Sequence, residues 1–180
     1  AEIPNNGGNI TGGVTVERYV PKSNRAFRYI SSPVNTSGTI NDNLQEGATT
    51  ASNDPNPVPE HGTHITGLGS TSNGFDDTST DNFSMFEWNE TNQEWDEITS
   101  TNQAGDDMDV GDAYALMVRG DRSTTLNSNT AVGPATTLRF TGNLEVGEVD
   151  ASADLSGNAD DFNLVANPYQ AIVDMKALLE

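Results

Sequence analysis

Apolar and polar residues alternate in several short runs of this chain, and a period of two is typical of half-buried β-strands. The run VTVERYV, residues 14–20, places its valines on one face and mostly polar side chains on the other. The run RAFRYI, residues 25–30, follows the turn PKSN, so we expect a second strand that forms a hairpin with the first. The most apolar run, AYALMVRGD at residues 113–121, is predicted to be a central strand.

The run SMFEWNETNQEWDEI, residues 84–98, gives the clearest local signal. Two aromatic segments flank the polar connection NETNQ, which predicts a β-hairpin with Phe86 and Trp88 near Trp95 and Ile98. Tryptophans at facing positions of a hairpin pack on each other or in the core, but exposed ones can also form a platform on which sugars stack. Trp88 and Trp95 are therefore candidate glycan-binding residues.

Gly, Pro and polar residues separate the remaining segments. Residues 34–59 are predicted to be a long surface excursion, because proline, abundant in SNDPNPVPE, lacks the donor that a central strand needs. Gly142 interrupts ATTLRFTGNLEVGEV, residues 135–149, which predicts two short strands or one long bulged strand. Three further predictions are a short strand around Thr63 to Leu68, a strand ending in a turn at FNLVANPY, residues 162–169, and a helix at VDMKALLE, residues 173–180.

Short strands that recur at short intervals, with almost no helix, predict an all-β fold. We expect a β-sandwich or jelly-roll-like architecture with at most a short C-terminal helix. The 180 residues are enough for one such domain with a real core. Residues 1–13 are rich in Gly and Asn, so we expect a flexible leader or linker before a single β-sandwich domain at residues 14–180.

The chain is strongly acidic, with 27 Asp plus Glu against 8 Lys plus Arg and a formal net charge of −19. Such a surface repels the phosphates of nucleic acids and of anionic membranes, so we expect neither as a partner. No run approaches the roughly 20 apolar residues that a membrane helix needs, so membrane insertion is not expected. The absence of cysteine excludes disulfides, thiolate metal sites and cysteine nucleophiles.

Three acidic clusters in predicted loops are candidate calcium ligands, because calcium takes about six to eight oxygens from flexible loops. None of them has the spacing of the helix-loop-helix calcium motif, and a solvated acidic surface is the alternative explanation. We therefore treat calcium as a candidate ion and expect that no cofactor is required. The clusters are Asp76, Asp77 and Asp81; Asp106, Asp107, Asp109 and Asp112; and Asp150, Asp154, Asp160 and Asp161.

Two short motifs invite a functional interpretation that their context argues against. His61 and His64 in EHGTH suggest zinc, but Gly62 and the preceding prolines favour a loop that enters a strand, which does not hold the pair reliably on one face. The RGD tripeptide at residues 119–121 suggests recognition by a cell-adhesion receptor, but it follows an apolar strand, where glycine and aspartate are ordinary turn residues. We expect structural or exposed histidines and a structural turn.

No pattern of residues predicts catalysis. The chain has no G-x-S-x-G elbow and no histidine in the context of a catalytic triad. Paired carboxylates for glycoside hydrolysis single out no candidate, because with this many acids any fold brings some of them together. We therefore expect that the protein is not an enzyme.

Four of the eight basic residues lie near the start of the chain, at Arg18, Lys22, Arg25 and Arg28. A patch for an acidic partner would need them on one exposed face, but the predicted strands place Arg18 and Arg28 on their apolar faces. We expect instead that these cations pair with neighbouring carboxylates while their stems cover apolar surface. Mutation of Arg18 or Arg28 is then expected to lower stability.

Several ordered motifs, covering nearly the whole chain from residue 9 on, together resemble a module of large secreted and surface-attached proteins of Bacteroidetes. Those proteins resemble cargo of type IX secretion, in which the module usually lies ahead of a C-terminal sorting domain. The strong acidity departs from that pattern. The motifs are VTVERYVPKSNRAFRYISSPV, GTINDNLQEG, GTHITG, SMFEWNETNQEWDEI, GDAYALMVRGDRS, TLRFTGNL and FNLVANPYQAIVDM.

The resemblance implies an all-β fold, export to the cell surface or medium, and a structural or adhesive setting. It brings no catalytic residues. The expected function is a non-catalytic extracellular structural or adhesive module that binds other copies of itself or other surface proteins, with assembly into a filament by strand addition at unpaired edges as one form of it. The alternative is a carbohydrate-binding module, with glycans as partners.

Overall fold

The computed structural model describes residues 12–49, 56–128, 130–150, 152, 155–171, 174 and 176. Short strands dominate the described residues, together with one short α-helix and one turn of 3₁₀-helix at Ser70–Asn73. The strands are β1 (Val14–Val20), β2 (Ser23–Asn24), β3 (Ala26–Ser31), β4 (Val34–Thr36), β5 (Met85–Asn89), β6 (Glu94–Glu97), β7 (Ala113–Val118), β8 (Val132–Gly133) and β9 (Thr136–Leu144), and the helix is α1 (Ile40–Leu44).

The strands form a three-stranded sheet in the order β1-β9-β4, a four-stranded sheet in the order β3-β7-β5-β6, and a two-stranded ribbon of β2 and β8. All pairs of named strands are antiparallel. The predicted all-β fold is confirmed, and β7 is central in its sheet as expected. The sandwich or jelly-roll arrangement of the sheets stays a prediction.

The inner faces of both larger sheets contribute to one buried apolar cluster. Burial of such side chains is the main stabilising contribution to a domain of this size. Side chains from α1 and from loops complete the cluster. Its members are Val16, Val34, Ile40, Leu44, Ile65, Phe75, Met85, Met108, Tyr114, Leu116, Val118, Leu138 and Phe140.

The predicted hairpin between the first two long strands is wrong. β1 pairs with β9, whereas β3 pairs with β7 in the other large sheet. The connection between them is not a simple turn, because it contains β2, which pairs with β8. This ribbon leads the chain from one sheet to the other, so both strands keep the predicted faces but have different partners.

Gly142 does not interrupt β9, which is one continuous strand of nine residues. Its pairing with β1 and with β4 runs through Gly142 without a bulge, opposite Val14 on one side and Thr36 on the other. A β-carbon at this position would lie 2.0 Å from the carbonyl oxygen of Asn35. The glycine therefore permits a close approach of β4 rather than a break in the strand.

The prediction of a surface excursion at residues 34–59 is wrong for its first part. Val34 in β4 and Ile40 and Leu44 in α1 are all buried in the core. A capping box starts the helix, since Thr39 accepts from the backbone of Asp42 and the Asp42 carboxylate accepts from the backbone of Thr39. Residues 50–55 lie outside the described part of the chain.

Four other predictions also need correction or fall outside the described residues. Residues 63–67 are buried and Leu68 is exposed, but the stretch forms only a single bridge, Thr66 with Asp76, and no strand. Residues 162–169 are irregular rather than a strand. Most of the predicted leader, residues 1–11, and most of the predicted helix at residues 173–180 lie outside the described residues.

Candidate functional site

The outer face of the four-stranded sheet carries five aromatic side chains. Directly opposite residues of an antiparallel pair share a face, and the register places Phe27 and Tyr29 of β3 on the same side as Phe86 and Trp88 of β5 and Trp95 of β6. The other side of this sheet carries Met85, Tyr114, Leu116 and Val118 of the core. We call the five residues Phe27, Tyr29, Phe86, Trp88 and Trp95 the aromatic face.

The rings of the aromatic face contact one another across the strands. Tyr29 is stacked on Trp95, with ring centroids 5.7 Å apart and an angle of 10° between the ring planes. Trp95 meets Trp88 edge to face at 5.3 Å, and Phe27 lies 5.8 Å from Phe86. Such pairs stabilise each other by about 0.5–1.5 kcal/mol each, so the surface is held in place before any ligand arrives.

Tyr29 remains largely in solvent, and Phe27 about half, although both take part in these contacts. Tyr29 is 73% exposed and Phe27 is 48% exposed. Ala115 of β7, which lies on the same face between them and β5, is only 6% exposed. The rings therefore cover the middle of the sheet and still present open aromatic surface above it.

A described stretch of the C-terminal region borders the aromatic face. The side-chain amide of Gln93 donates to the carbonyl oxygen of Phe162 at 3.0 Å and accepts from the Phe162 amide at 2.6 Å. The indole N–H of Trp88 donates to the same carbonyl oxygen at 3.3 Å. The only polar group of the Trp88 side chain is therefore already hydrogen-bonded, and ring stacking is the interaction that it can still offer to a ligand.

The charge around the aromatic face is negative. Glu97 is the only ionisable carboxylate of the paired strand positions on this face, opposite Phe86. Glu94 and Asp96 are on the other side of the same edge strand, where Asp96 lies opposite Glu87 and Glu94 opposite Asn89. Burial raises the pKa of Glu87, and the nearby Asp112, Glu90 and Asp96 raise it further. An anionic ligand would meet repulsion here.

A second unusual site lies inside the molecule, where Asp76 and Arg122 form a fully buried ion pair. Both carboxylate oxygens of Asp76 accept from the guanidinium, at 2.6 and 2.8 Å. Gln45 and the amide of Ile65 also donate to this carboxylate, at 3.1 and 3.0 Å. His64 lies with Nδ1 3.2 Å from Asp76 and Nε2 3.0 Å from the carbonyl oxygen of Arg122. We call these residues, Asp76, Arg122, His64 and Gln45, the buried charge centre.

The electrostatics of the buried charge centre favour the ionised carboxylate. Burial alone would raise the pKa of Asp76, but His64 and Arg122 outweigh it and hold the pKa below its usual value. Every oxygen of Asp76 is engaged by the protein itself. The centre joins loops that are distant in sequence, so we assign it to stability.

The structure separates the predicted calcium ligands. Asp76 belongs to the buried charge centre, whereas Asp77 is exposed and Asp81 is half-buried. In the second cluster Asp106 accepts from the backbone of Gln103 at 2.6 Å, while Asp107 and Asp109 are exposed. The described residues contain no group of three or more His, Asp or Glu that could hold a metal ion. Calcium binding stays a prediction.

Asp161 of the third acidic cluster accepts from Ser156 and Asn158, and Asp154 lies outside the described residues. The RGD tripeptide is not displayed, because Gly120 and Asp121 are buried. Asp121 accepts from Asn56 and from the backbone of Glu60 and Ser123. These contacts confirm the predicted structural turn.

The predicted pairing of the early basic residues with carboxylates is not found for Arg18 and Arg28. Among the described residues neither forms a salt bridge, and Arg28 donates to the hydroxyl of Ser23 at 2.8 Å. Nε and Nη2 of Arg18 are buried without a hydrogen-bond partner there, and burial lowers its pKa. Their positions opposite Leu138 and Leu116 confirm the predicted apolar faces.

Sequence reasoning found Trp88 and Trp95 but missed Phe27 and Tyr29, which come from a strand about 60 residues earlier. The sequence did contain a signal for these two residues. Ala26, Arg28 and Ile30 alternate with Phe27 and Tyr29, which places the two aromatic residues together on the opposite face of the strand. The described residues also include no helix with the length and apolar character needed to cross a membrane. Comparison with protein families, curated proteins and solved structures finds no match to this chain.

Proposed function

We propose that this chain is a non-catalytic, extracellular adhesive module of a bacterial surface protein and that the aromatic face is its binding surface. The observation that carries the proposal is the set of partly exposed rings on the outside of the four-stranded sheet. An antiparallel sheet with one solvated face normally turns polar residues outward. Contiguous exposed apolar surface marks interaction sites on soluble proteins. The resemblance to secreted modules supports the extracellular location.

A carbohydrate is the ligand that this surface favours. Tyr29 stacks one side of its ring on Trp95 and is nevertheless largely exposed, so aromatic surface remains open to a partner. The C–H groups of a sugar ring pack on such a surface, while its hydroxyls stay hydrated or bond to polar groups nearby. Because Glu97 and the acidic edge strand lie beside the rings, we expect a neutral glycan rather than a sulfated or uronic one.

The charge of one sheet edge argues against assembly of copies into a filament by strand addition at that edge. The edge strand β6 has the sequence EWDE, with three carboxylates in four residues. Two such edges placed side by side would repel each other, and charged edge residues are a common protection against strand addition. A homogeneous monomer by light scattering, over a range of protein and calcium concentrations, would remove the filament as a function.

The carbohydrate function is tested by intrinsic fluorescence, since both tryptophans of the chain belong to the aromatic face. The probes are soluble neutral glucans, xylans and mannans, with sulfated and uronic polysaccharides for comparison. We expect a saturable change with a neutral glycan that is lost in Tyr29→Ala. Tyr19→Ala is the matched control, because Tyr19 is 70% exposed on the other sheet. A flat response over the whole panel would overturn the proposal.

A further inference from the structure

The two edges of the four-stranded sheet differ in charge. The edge strand β6 carries three carboxylates in four residues, and all three are exposed. At the opposite edge, β3 has the sequence AFRYIS, with one arginine and no carboxylate. The carboxylates that repel a second β6 strand would attract a strand of opposite charge. The charges of the two edges are therefore complementary.

The β6 edge offers free backbone groups as well as charge. Opposite residues of antiparallel strands alternate between hydrogen-bonded and non-hydrogen-bonded pairs. The amide of Ile98 donates to the carbonyl oxygen of Met85 at 3.2 Å, which fixes this alternation between β5 and β6. The backbone groups of Trp95 and Glu97 therefore point away from the sheet.

The β3 edge has the same arrangement. The amide of Met117 in β7 donates to the carbonyl oxygen of Ser84 at 2.8 Å, so the backbone groups of Met117 and Ala115 point towards β5. Phe27 and Tyr29 lie opposite these two residues, and their backbone groups therefore point outward from β3. Within the described part of the chain, no backbone hydrogen bond from outside the sheet reaches either edge at these residues.

The directions of the strands allow the two edges to meet. In the order β3-β7-β5-β6 each strand is antiparallel to the next, so β3 and β6 run in opposite directions. A second copy that is shifted along the sheet, without being turned over, therefore presents its β3 antiparallel to β6 of the first. All four residues with outward backbone groups have their side chains on the outer side of the sheet. The pairing thus joins outer face to outer face and core face to core face.

We propose that copies of this chain bind head to tail, with the β6 edge of one copy paired with the β3 edge of the next. Pairing of Trp95 with Tyr29 of the next copy places Asp96 opposite Arg28. Asp96 is exposed and accepts through one oxygen from the side-chain amide of Asn89, at 2.7 Å. Arg28 has no carboxylate within salt-bridge distance among the described residues. Opposite side chains have β-carbons about 4.5–5.5 Å apart, so the two can form an ion pair.

A contact between two different edges repeats from copy to copy. It produces an open filament unless the rotation between copies closes a ring. The net charge of −19 opposes association, but about 0.15 M salt screens charges separated by more than about 8 Å, whereas opposed side chains lie closer than that. Because β6 offers only four residues, we expect weak association that depends on protein concentration.

Sedimentation velocity of the whole chain tests the contact, in about 0.15 M salt and up to about 1 mM protein. We expect the average mass of wild type to rise with concentration. Asp96→Arg and Arg28→Asp should each stay monomeric, because each places like charges opposite each other in the contact. An equimolar mixture of the two variants should assemble again, since each β3 edge then meets a β6 edge of opposite charge. Asp107→Arg is the control, because it makes the same charge change at an exposed loop position and should assemble like wild type.

Glu97→Pro tests the backbone pairing and covers the case in which Arg28→Asp does not fold. Proline removes the outward donor at the edge, keeps the bonds to β5 and should leave a monomer. A monomeric wild type at all concentrations, or association that Asp96→Arg and Glu97→Pro leave unchanged, would overturn the proposal. So would a folded Arg28→Asp that does not restore assembly in the mixture.

The head-to-tail contact is separate from the carbohydrate function. Asp96 lies on the opposite side of β6 from Trp95, so Asp96→Arg should keep the fluorescence response to a neutral glycan. Loss of assembly with an unchanged glycan response therefore supports the contact, whatever the outcome of the glycan panel for wild type.

Discussion

The buried charge centre and the aromatic face reverse the usual placement of their residue types. Asp76 and Arg122 are ionised groups that lie fully inside the molecule, whereas the aromatic side chain of Tyr29 lies largely outside and that of Phe27 is about half exposed. Burial of an ion pair is costly unless every oxygen and donor finds a partner. Exposure of rings forgoes the stabilisation that their burial would bring.

The two regions therefore have different kinds of importance. Each donor to Asp76 comes from a different segment, so loss of this carboxylate would release several loops at once. The aromatic face contains pair contacts that are individually modest. We expect the first region to control folding and the second to control binding, and the predictions below test that division.

The largest effect is expected from Asp76→Ala. This change leaves Arg122 buried without its partner, which lowers the free energy of unfolding by about 3–5 kcal/mol. The neighbouring Asp77→Ala is the control, because Asp77 is exposed and its loss should change stability by less than about 0.5 kcal/mol. Urea denaturation measures both. Equal stability of the two variants would show that the buried charge centre does not hold the fold.

The next effect is a loss of stability in acid. The pKa of folded Asp76 lies below its ordinary value of 3.8. The group therefore contributes stability above that value, and this contribution is lost as the pH falls through the lower pKa of the folded state. Urea midpoints measured from pH 7 to pH 2 should decline below about pH 4. If it folds, Asp76→Asn should show a shallower decline, and an equal slope would contradict the assignment.

Tyr29→Ala is expected to have a smaller effect on stability. It removes the stacked pair with Trp95 and uncovers Ala115, which should cost about 0.5–1.5 kcal/mol. Tyr19→Ala, on the three-stranded sheet, should cost less than about 0.5 kcal/mol. Thermal unfolding measures both variants. A loss for Tyr29→Ala as large as that for Asp76→Ala would mean that the aromatic face is part of the structural core.

The smallest effect is expected from Arg18→Met, and its direction is the opposite of the sequence prediction. Arg18 has buried donors without a partner among the described residues, so an apolar side chain of similar length removes a desolvation penalty. Stability should stay the same or rise by up to about 1 kcal/mol. A clear loss in urea denaturation would show that the guanidinium has a stabilising partner.

Local patterns predicted the strands well but not their partners. The alternation at residues 14–20 and the hairpin contact of Trp88 with Trp95 appear in the structure as expected, but Ile98 packs against the core and Glu97, not Ile98, lies opposite Phe86. The sequence could not show that β1 pairs with β9, because the partners are more than 100 residues apart and the short ribbon between β1 and β3 resembles a turn.

How well each candidate site could be predicted likewise depends on how far apart in the sequence its residues lie. Trp88 and Trp95 pair within one hairpin, so their contact follows from local spacing. The meeting of Asp76 with Arg122 depends on the packing of two loops 46 residues apart, and nothing local marks it. The spacing of Asp76 to Asp77 and Asp81 therefore predicts a calcium ligand, although its carboxylate binds Arg122.

The most direct test of the account compares Tyr29→Ala with Tyr19→Ala in binding to the neutral polysaccharide that wild type prefers. Both changes remove an exposed tyrosine from a strand, but only one of them touches the aromatic face. The account predicts wild-type affinity for Tyr19→Ala and at least about tenfold weaker binding for Tyr29→Ala, as loss of an aromatic stacking contact implies. Wild-type affinity in both variants would contradict it.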